Sequence, residues 1–165
     1  MDRLYAPWRS EYLTGEKIEG CVFCHIVDNP DKANELHVLY QDEDCFVVMN
    51  KYPYTPGHFM VIPNHHTDKL EELDSQVWIK MNLLAQKGVS LLKDVLNAKG
   101  VNLGMNLGAS AGAGIAEHIH LHLVPRWDRD TNFITTLGET RIYGKDFDKT
   151  YEKLKEKAEE YFTLS

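Results

Sequence analysis

The sequence lacks the features that mark membrane proteins and secreted proteins. Its 165 residues contain no apolar run approaching the roughly 18 residues of a membrane span, and no signal-peptide apolar region stands near the start. Three cysteines, an odd number, do not suit a disulfide framework and fit a reducing compartment. We therefore expect a cytoplasmic protein with no membrane partner.

Positive charge is also scarce. Lysine and arginine number 18 against 25 aspartates and glutamates, a formal net charge of -7. Because counterion release from nucleic acid requires many basic side chains, this balance argues against a protein that coats nucleic acid. Repeats and low-complexity blocks are absent as well, so we expect a single domain over 1–165. Histidine, by contrast, is abundant, with eight in this short chain.

Hydrophobic patterning predicts five strands and two helices. The expected strands are 37–41, 45–50, 59–62, 101–106 and 117–124. Asp74 or Ser75 is expected to cap a long helix that Gly100 ends, and a charged C-terminal helix is expected over about 146–162. Hairpin strands followed by a helix and further strands indicate an α+β fold, with an antiparallel sheet of about five strands and helices on one side.

Histidine and aliphatic residues alternate strictly in the fifth predicted strand. Since side chains two apart share a face of a strand, His118, His120 and His122 form one row while the aliphatic residues enter the core. Three histidines can hold a catalytic metal with an open position for water. Alternatively, one neutral imidazole is a nucleophile and its neighbours neutralise the group that it attacks.

A glycine-rich segment, 106–114, comes directly before this row and helps to separate the two interpretations. Its short side chains allow the backbone to approach a ligand and to turn amide groups toward phosphate oxygens. A water-activating metal site does not need such a loop, so the segment favours the nucleophile and phosphoryl chemistry. The candidate substrate contacts in this loop are Asn106, Ser110, Gly112 and Gly114.

Several motifs together resemble the histidine triad superfamily of nucleotide hydrolases and transferases. His118–Val124 matches its His-x-His-x-His signature, 50–63 resembles its second motif, and 21–24 resembles its zinc-bearing entry motif. The flanking segments 6–9 and 125–133 are similar to a bacterial branch of diadenosine tetraphosphate phosphorylases and related dinucleoside polyphosphate hydrolases. The resemblance implies a histidine-triad-like fold and a nucleotide or dinucleoside polyphosphate substrate.

The resemblance also implies a role for each matching residue. His120 would attack the α-phosphorus and carry a nucleotidyl group, which water or inorganic phosphate then releases without a catalytic metal. His122 would contact phosphate, His58 would line the same pocket, and Asn50 would contact the ribose. Walls around the base are implied at Val22, Phe23, Ile26 and Val48. Further candidates for the polyphosphate chain are Arg9, Lys51, Arg126 and Arg129.

A structural zinc site is implied by the same resemblance. Cys21 and Cys24 have the two-residue gap that lets both thiolates reach one tetrahedral zinc. In zinc-bearing relatives the set is completed by residues that correspond here to His66 and His118, although the adjacent His65 could replace His66. Four protein ligands would close the site and fix His118.

One departure from the family concerns the leaving group. The nucleoside phosphoramidase and dinucleoside triphosphate hydrolase branches carry Gly-Gln followed by Ser or Thr before the triad, whereas this chain has Gly-Ile-Ala-Glu at 114–117. Ser110 could substitute for the missing hydroxyl. Three alternatives stay open: a non-catalytic nucleotide-binding or interaction module, a metal-dependent hydrolase, and a purine nucleoside phosphoramidase-type hydrolase. A homodimer through the long helix and a strand edge is implied by the resemblance alone.

Overall fold

The computed structural model describes residues 20–128, 130 and 145–164. These residues contain three α-helices and five strands, joined by loops and short 3₁₀ turns. The helices are α1 (Val22–Asp28), α2 (Ser75–Leu96) and α3 (Phe147–Phe162). The strands are β1 (Val38–Gln41), β2 (Cys45–Met49), β3 (Phe59–Pro63), β4 (Gly100–Gly104) and β5 (Leu121–Arg126). None of the helices within these residues is long and apolar enough to cross a membrane.

The five strands form one antiparallel sheet in the order β1-β2-β3-β5-β4. Strand β5 therefore lies between two partners, and His122 is paired with Met60 of β3 and with Gly104 of β4. Placing the histidine strand inside the sheet fixes its register from both sides. The predicted α+β fold with a five-stranded antiparallel sheet is confirmed.

Alternation along the strands gives the sheet two covered faces. Side chains such as Val47, Phe59 and Leu123 pack in the main core against α2 and α3. Their neighbours one position away, such as Val48 and Met60, form a second cluster with Phe23 of α1. Residues that share the α1 face with this second cluster have even numbers on β2, β3 and β5. His122 belongs to that set, and His58, directly before β3, continues the same alternation.

The largest differences from the predicted element boundaries are at the end of α2 and at the start of β5. Helix α2 is capped by the side chain of Asp74 as expected, but it ends at Leu96, where Asn97 takes a left-handed conformation (φ 55°). The prediction that Gly100 ends the helix is wrong, because asparagine tolerates this conformation and Gly100 is left to begin β4. Strand pairing of β5 begins at Leu121 rather than at 117.

Two glycines allow close packing beneath the histidine strand. A Cβ on Gly88 of α2 would lie 2.9 Å from side-chain atoms of both Phe59 and Leu123, so glycine is what lets α2 approach β3 and β5. Gly57 has a φ of 88°, and a Cβ there would overlap the side chain of Leu96. This left-handed turn directly precedes His58 and sets the point where β3 begins.

Helix α3 covers the edge strand β1. Lys155 donates to the carbonyl oxygens of Val38 and Leu39 at 3.0 and 3.1 Å. His37, to which the sequence assigns no role, packs edge-on against Phe147 and Tyr151 at ring distances of 4.9 Å. The C-terminal helix therefore protects an exposed edge of the sheet.

Candidate active site

Four buried histidines meet on the α1 face of the sheet. His58 and His118 are fully buried, and His120 and His122 are 6% and 8% exposed. His118 and His120 lie just before the paired part of β5, yet Ile119 and Leu121 still enter the main core as predicted. The ring centroids of His120 and His122 are 4.8 Å apart.

The tautomer of His120 is determined by a backbone group. Its Nδ1 lies 2.8 Å from the carbonyl oxygen of His118. Because a carbonyl can only accept, Nδ1 carries the hydrogen and Nε2 keeps its lone pair. Burial lowers the pKa of His120 despite this bond, which favours the neutral ring. The result is a neutral imidazole with its nucleophilic nitrogen at Nε2.

A second chain of hydrogen bonds fixes His58 and His122. The amide N–H of Tyr54 donates to Nδ1 of His58 at 3.1 Å, so the hydrogen of the neutral His58 ring is on Nε2. That Nε2 lies 2.9 Å from Nδ1 of His122 and donates to it. His122 therefore carries its own hydrogen on Nε2.

The Nε2 of His122 is buried and has no hydrogen-bond partner among the described residues. An unmatched buried donor costs about 1–3 kcal/mol and marks a place where a ligand acceptor is to be expected. Burial and the neighbouring His120 lower the pKa of His122 to about 4, so the ring is a neutral donor near pH 7. It can hydrogen-bond one oxygen of a substrate held beside His120.

Asn50 and Phe23 both lie next to these histidines. The Oδ1 of Asn50 accepts from the amide of Tyr52 at 2.9 Å, which turns its Nδ2 toward Nδ1 of His58 at 3.3 Å. The ring of Phe23 lies 5.2 Å from that of His120. Val48 is buried in the cluster around Phe23, and Val22 and Ile26 pack against it. The four residues predicted as walls of the base pocket thus lie in or against one cluster, and Phe23 of this cluster lies beside His120.

The imidazole of His118 also belongs to a second group, which contains two thiols and one further imidazole. The Sγ atoms of Cys21 and Cys24 and the Nδ1 atoms of His66 and His118 all lie within 4.8 Å of one another. The Nε2 of His118 donates to the carbonyl of Pro63 at 2.9 Å, which leaves the lone pair on Nδ1 facing the thiols. Four soft or borderline donors around one point fit a tetrahedral metal such as zinc. His66, and not His65, belongs to this group.

The glycine-rich loop differs in detail from the expectation. Ser110 lies in a short 3₁₀ turn at 109–111 and is exposed, and Asn106 is half-buried. The Gly112 amide donates to the Ala109 carbonyl at 3.0 Å, so it would have to leave that bond to hold a phosphate. Gly114 is exposed.

The predicted basic residues are dispersed. Arg126 donates to both carboxylate oxygens of Asp130 and, at 3.0 Å, to Asn102, so its charge is compensated. Lys51 is exposed. Arg9 and Arg129 lie outside the described residues.

Tyr54, to which the sequence pattern assigns no role, also lies at the site. Tyr54 places its ring 4.7 Å from His58 and 5.8 Å from His122, the latter nearly parallel at 27°. The available signal was an aromatic residue between two prolines in the segment that leads to His58. The Pro56–Gly57 pair predicts a turn before β3, but not which side chains of the preceding segment this turn brings against the histidines.

Fold and site together define a class of protein, an α+β domain in which a row of histidines on an inner strand adjoins a thiol–imidazole group. Residues 31–129 match the HIT domain family. Over 151 residues the chain is 35% identical to "AP-4-A phosphorylase" of Mycobacterium tuberculosis, covering 86% of this chain and 76% of that protein. The chain therefore belongs to the HIT domain family, and the resemblance found in the sequence is confirmed.

Solved structures give the same result. A Zn-bound histidine triad family protein from Mycobacterium smegmatis is 29% identical, with a TM-score of 0.70 over 86% of this chain and 94% of that one. A hypothetical histidine triad nucleotide-binding protein from Sulfolobus tokodaii is 28% identical, with a TM-score of 0.66 over 86% of this chain and 91% of that one. The architecture described above is thus that of known histidine triad proteins.

The buried histidines predict how stability depends on pH. Burial, with His122 and His120, lowers the pKa of His58 to about 3, whereas in an unfolded chain it is about 6.5. Below about pH 6.5 the unfolded chain therefore binds the extra proton, and the free energy of unfolding falls as the pH drops toward 4. The contribution of His58 is at most about 1.4 kcal/mol per pH unit. Urea unfolding at pH 7 and pH 5 measures it.

The matched variant is His58→Gln, which keeps a polar side chain without a titrating group. Its stability should fall less between pH 7 and pH 5 than that of the wild type. An equal fall in both proteins would show that His58 does not stay neutral in the folded state.

Proposed function

We propose that this protein is an enzyme that cleaves dinucleoside polyphosphates at the α-phosphorus through a covalent nucleotidyl group on His120. The observation that carries the proposal is the hydrogen bond from His120 Nδ1 to the His118 carbonyl, which leaves the Nε2 lone pair as nucleophile. The related AP-4-A phosphorylase supports the substrate class.

Two displacement steps follow from this geometry. In the first, Nε2 of His120 forms a bond to the α-phosphorus, and the bond from phosphorus to the bridging oxygen breaks, so the remaining phosphate chain leaves with its nucleoside. The Nε2–H of His122 hydrogen-bonds a phosphoryl oxygen and offsets its developing charge. In the second step, water or inorganic phosphate attacks the same phosphorus and the bond to His120 breaks.

The remaining site residues act by binding. Asn50 is proposed to contact the ribose, Phe23 and Val48 to enclose the base, and His58 to hold His122 in its donor tautomer. In the loop, Asn106, Ser110 and Gly114 are proposed phosphate neighbours. Gly112 can contribute only if its amide leaves the turn.

Leaving-group chemistry favours a polyphosphate over a phosphoramidate. An amine must be protonated as it leaves, so a general acid is needed for that reaction. A displaced phosphate chain is stable as an anion and leaves without a proton. Segment 114–117 has no hydroxyl, and Ser110 is exposed on its turn. The described residues therefore suit the release of a phosphate anion better than the release of an amine.

The geometry does not favour the triad as a single catalytic metal site. His118 turns Nδ1 toward the two thiols, whereas Nδ1 of His120 is engaged with a backbone carbonyl. The candidate metal group of the described residues takes His118 alone from the triad. The row therefore divides into one member beside the thiols and two at the phosphate position.

Cys21, Cys24, His66 and His118 are proposed to hold zinc in a structural role. The Zn-bound relative supports the choice of metal. Zinc would link α1 to the segment that leads into β5, because Cys24 lies on α1 and His118 lies two residues before His120. Four protein ligands would leave no open position for water, which is typical of a structural zinc. Within this group His118 serves through Nδ1 and continues to hold Pro63 through Nε2.

Oligomeric state and location stay predictions. Ile79 and Leu83 on α2 and Leu103 on the edge strand β4 are exposed, which is compatible with the expected homodimer through these two elements. A cytoplasmic location, a single domain over 1–165 and the absence of membrane or nucleic-acid partners rest on the sequence arguments above.

Product analysis tests the proposed reaction. Purified protein mixed with diadenosine tetraphosphate should release ADP and ATP when inorganic phosphate is present, and AMP and ATP when water is the acceptor. His120→Asn should lower turnover by at least about a thousandfold, because it removes the nucleophile, while nucleotide binding persists. Absence of any product from the wild type would favour the binding module, and undiminished turnover in His120→Asn would exclude the covalent mechanism.

Paired histidine variants test the zinc site. His66→Ala should lower both bound zinc, measured by elemental analysis, and the melting temperature. The neighbouring variant His65→Ala is the control and should keep zinc at the wild-type level, since His65 lies outside the group. A chelator should reduce activity only as slowly as zinc is lost. Immediate loss of turnover on chelation would instead indicate a catalytic metal, and full zinc content in His66→Ala would exclude this ligand set.

A further inference from the structure

The loop between β2 and β3, residues 50–58, surrounds one ring nitrogen of His58. Nδ1 of His58 lies 3.1 Å from the amide nitrogen of Tyr54 and 3.3 Å from Nδ2 of Asn50. Both of these groups are donors, so together they keep the hydrogen of the neutral His58 ring on Nε2. The backbone amide of Asn50 in turn donates to the carbonyl of His58 at 3.0 Å. The direction of the hydrogen bond from His58 to His122 therefore depends on the position of this loop.

A tight turn ends the loop. The amide of His58 donates to the carbonyl of Thr55 at 3.1 Å, with Pro56 and Gly57 at the two central positions. Proline followed by a residue with a positive φ, here 88° at Gly57, is typical of a type II turn. Because Tyr54 directly precedes this turn, the position of Thr55 also determines where the Tyr54 amide lies.

The side chain of Thr55 joins this turn to β5, the strand that carries His122. Thr55 is 2% exposed, and its Oγ1 donates to the carbonyl oxygen of Pro125 at 2.9 Å. The pairing of β3 with β5 ends at Phe59 and Leu123, two residues before Pro125. The Thr55 hydroxyl therefore supplies a donor to β5 beyond the point where β3 pairs with it. Since buried carbonyl groups are normally hydrogen-bonded, this bond gives the turn a definite position against β5.

We propose that Thr55 is a positioning residue: its hydrogen bond to Pro125 holds the loop so that His122 stays a donor toward the phosphoryl oxygen. Thr55 acts through the Tyr54 amide and His58, and takes no part in bond breaking. This role rests on the proposed function, in which the Nε2–H of His122 offsets charge at the transferred phosphoryl group. Without the donors of the loop, the hydrogen of His58 is free to move to Nδ1. His122 would then donate through Nδ1 and present a lone pair at Nε2.

The nitrogen-15 spectrum of the histidine rings in the purified protein measures this effect. Thr55→Val keeps the size of the side chain and removes the hydroxyl, so the Nε2–H forms of His58 and His122 should lose population to the Nδ1–H forms. The kcat for diadenosine tetraphosphate should fall about tenfold, because the phosphoryl oxygen loses its donor. Thr55→Ser retains a hydroxyl and should show the wild-type tautomers and most of the wild-type rate.

A second buried threonine provides the matched control. Thr150 of α3 is 5% exposed and donates through Oγ1 to the carbonyl of Asp146 at 2.7 Å, in a helix that packs in the main core. Thr150→Val removes an equivalent hydrogen bond and should lower the melting temperature without changing the histidine tautomers. If Thr55→Val does not fold, Thr55→Ala takes its place, because it removes the same bond without setting a methyl group against the carbonyl.

The outcomes separate a positioning role from a structural one. Wild-type tautomers in the folded Thr55→Val protein, whatever its melting temperature, would show that Thr55 only stabilises the fold and would overturn the inference. A change of tautomers with an unchanged kcat would overturn it as well. The spectra do not depend on turnover. If the wild type cleaved no dinucleoside polyphosphate, the proposed function would fail, while the spectra would still decide whether Thr55 determines the tautomer of His58.

Discussion

The candidate active site depends on one backbone acceptor, the carbonyl oxygen of His118. By accepting from Nδ1 of His120, it determines which nitrogen of that imidazole has a lone pair. His118 is itself held through Nε2 by Pro63, and its Nδ1 faces the thiols of Cys21 and Cys24. A single residue therefore joins the thiol–imidazole group to the proposed nucleophile. Displacement of His118 would disturb both at once.

A second backbone group, the amide of Tyr54, acts in the same way on the other pair. It makes His58 a donor through Nε2, and His58 in turn makes His122 a donor. Burial keeps both rings neutral, with the pKa of His58 lowered to about 3 and that of His122 to about 4. Neighbouring imidazoles thus have opposite roles, one offering a lone pair and one a hydrogen. Main-chain geometry creates this difference between chemically identical side chains.

Much of this arrangement could be predicted from the sequence. Strict alternation placed the three histidines in one row, and the family motifs assembled the thiol pair with His118. Spacing could not decide between His65 and His66, because two exposed neighbours in a turn differ only in the direction of their side chains. The end of α2 was missed because Asn97 takes a conformation that is more usual for glycine. Tyr54 was missed because its position depends on how the loop before β3 folds back over two imidazoles.

The nitrogen-15 spectrum of the histidine side chains tests the tautomer assignment most directly. Long-range nitrogen–proton correlations at pH 7 distinguish a protonated Nδ1 from a protonated Nε2 in each ring. The structure predicts a hydrogen on Nδ1 of His120 and on Nε2 of both His58 and His122. A hydrogen on Nε2 of His120 would remove the nucleophilic lone pair, and a neutral His122 with its hydrogen on Nδ1 would lack the Nε2 donor; either result would contradict the account.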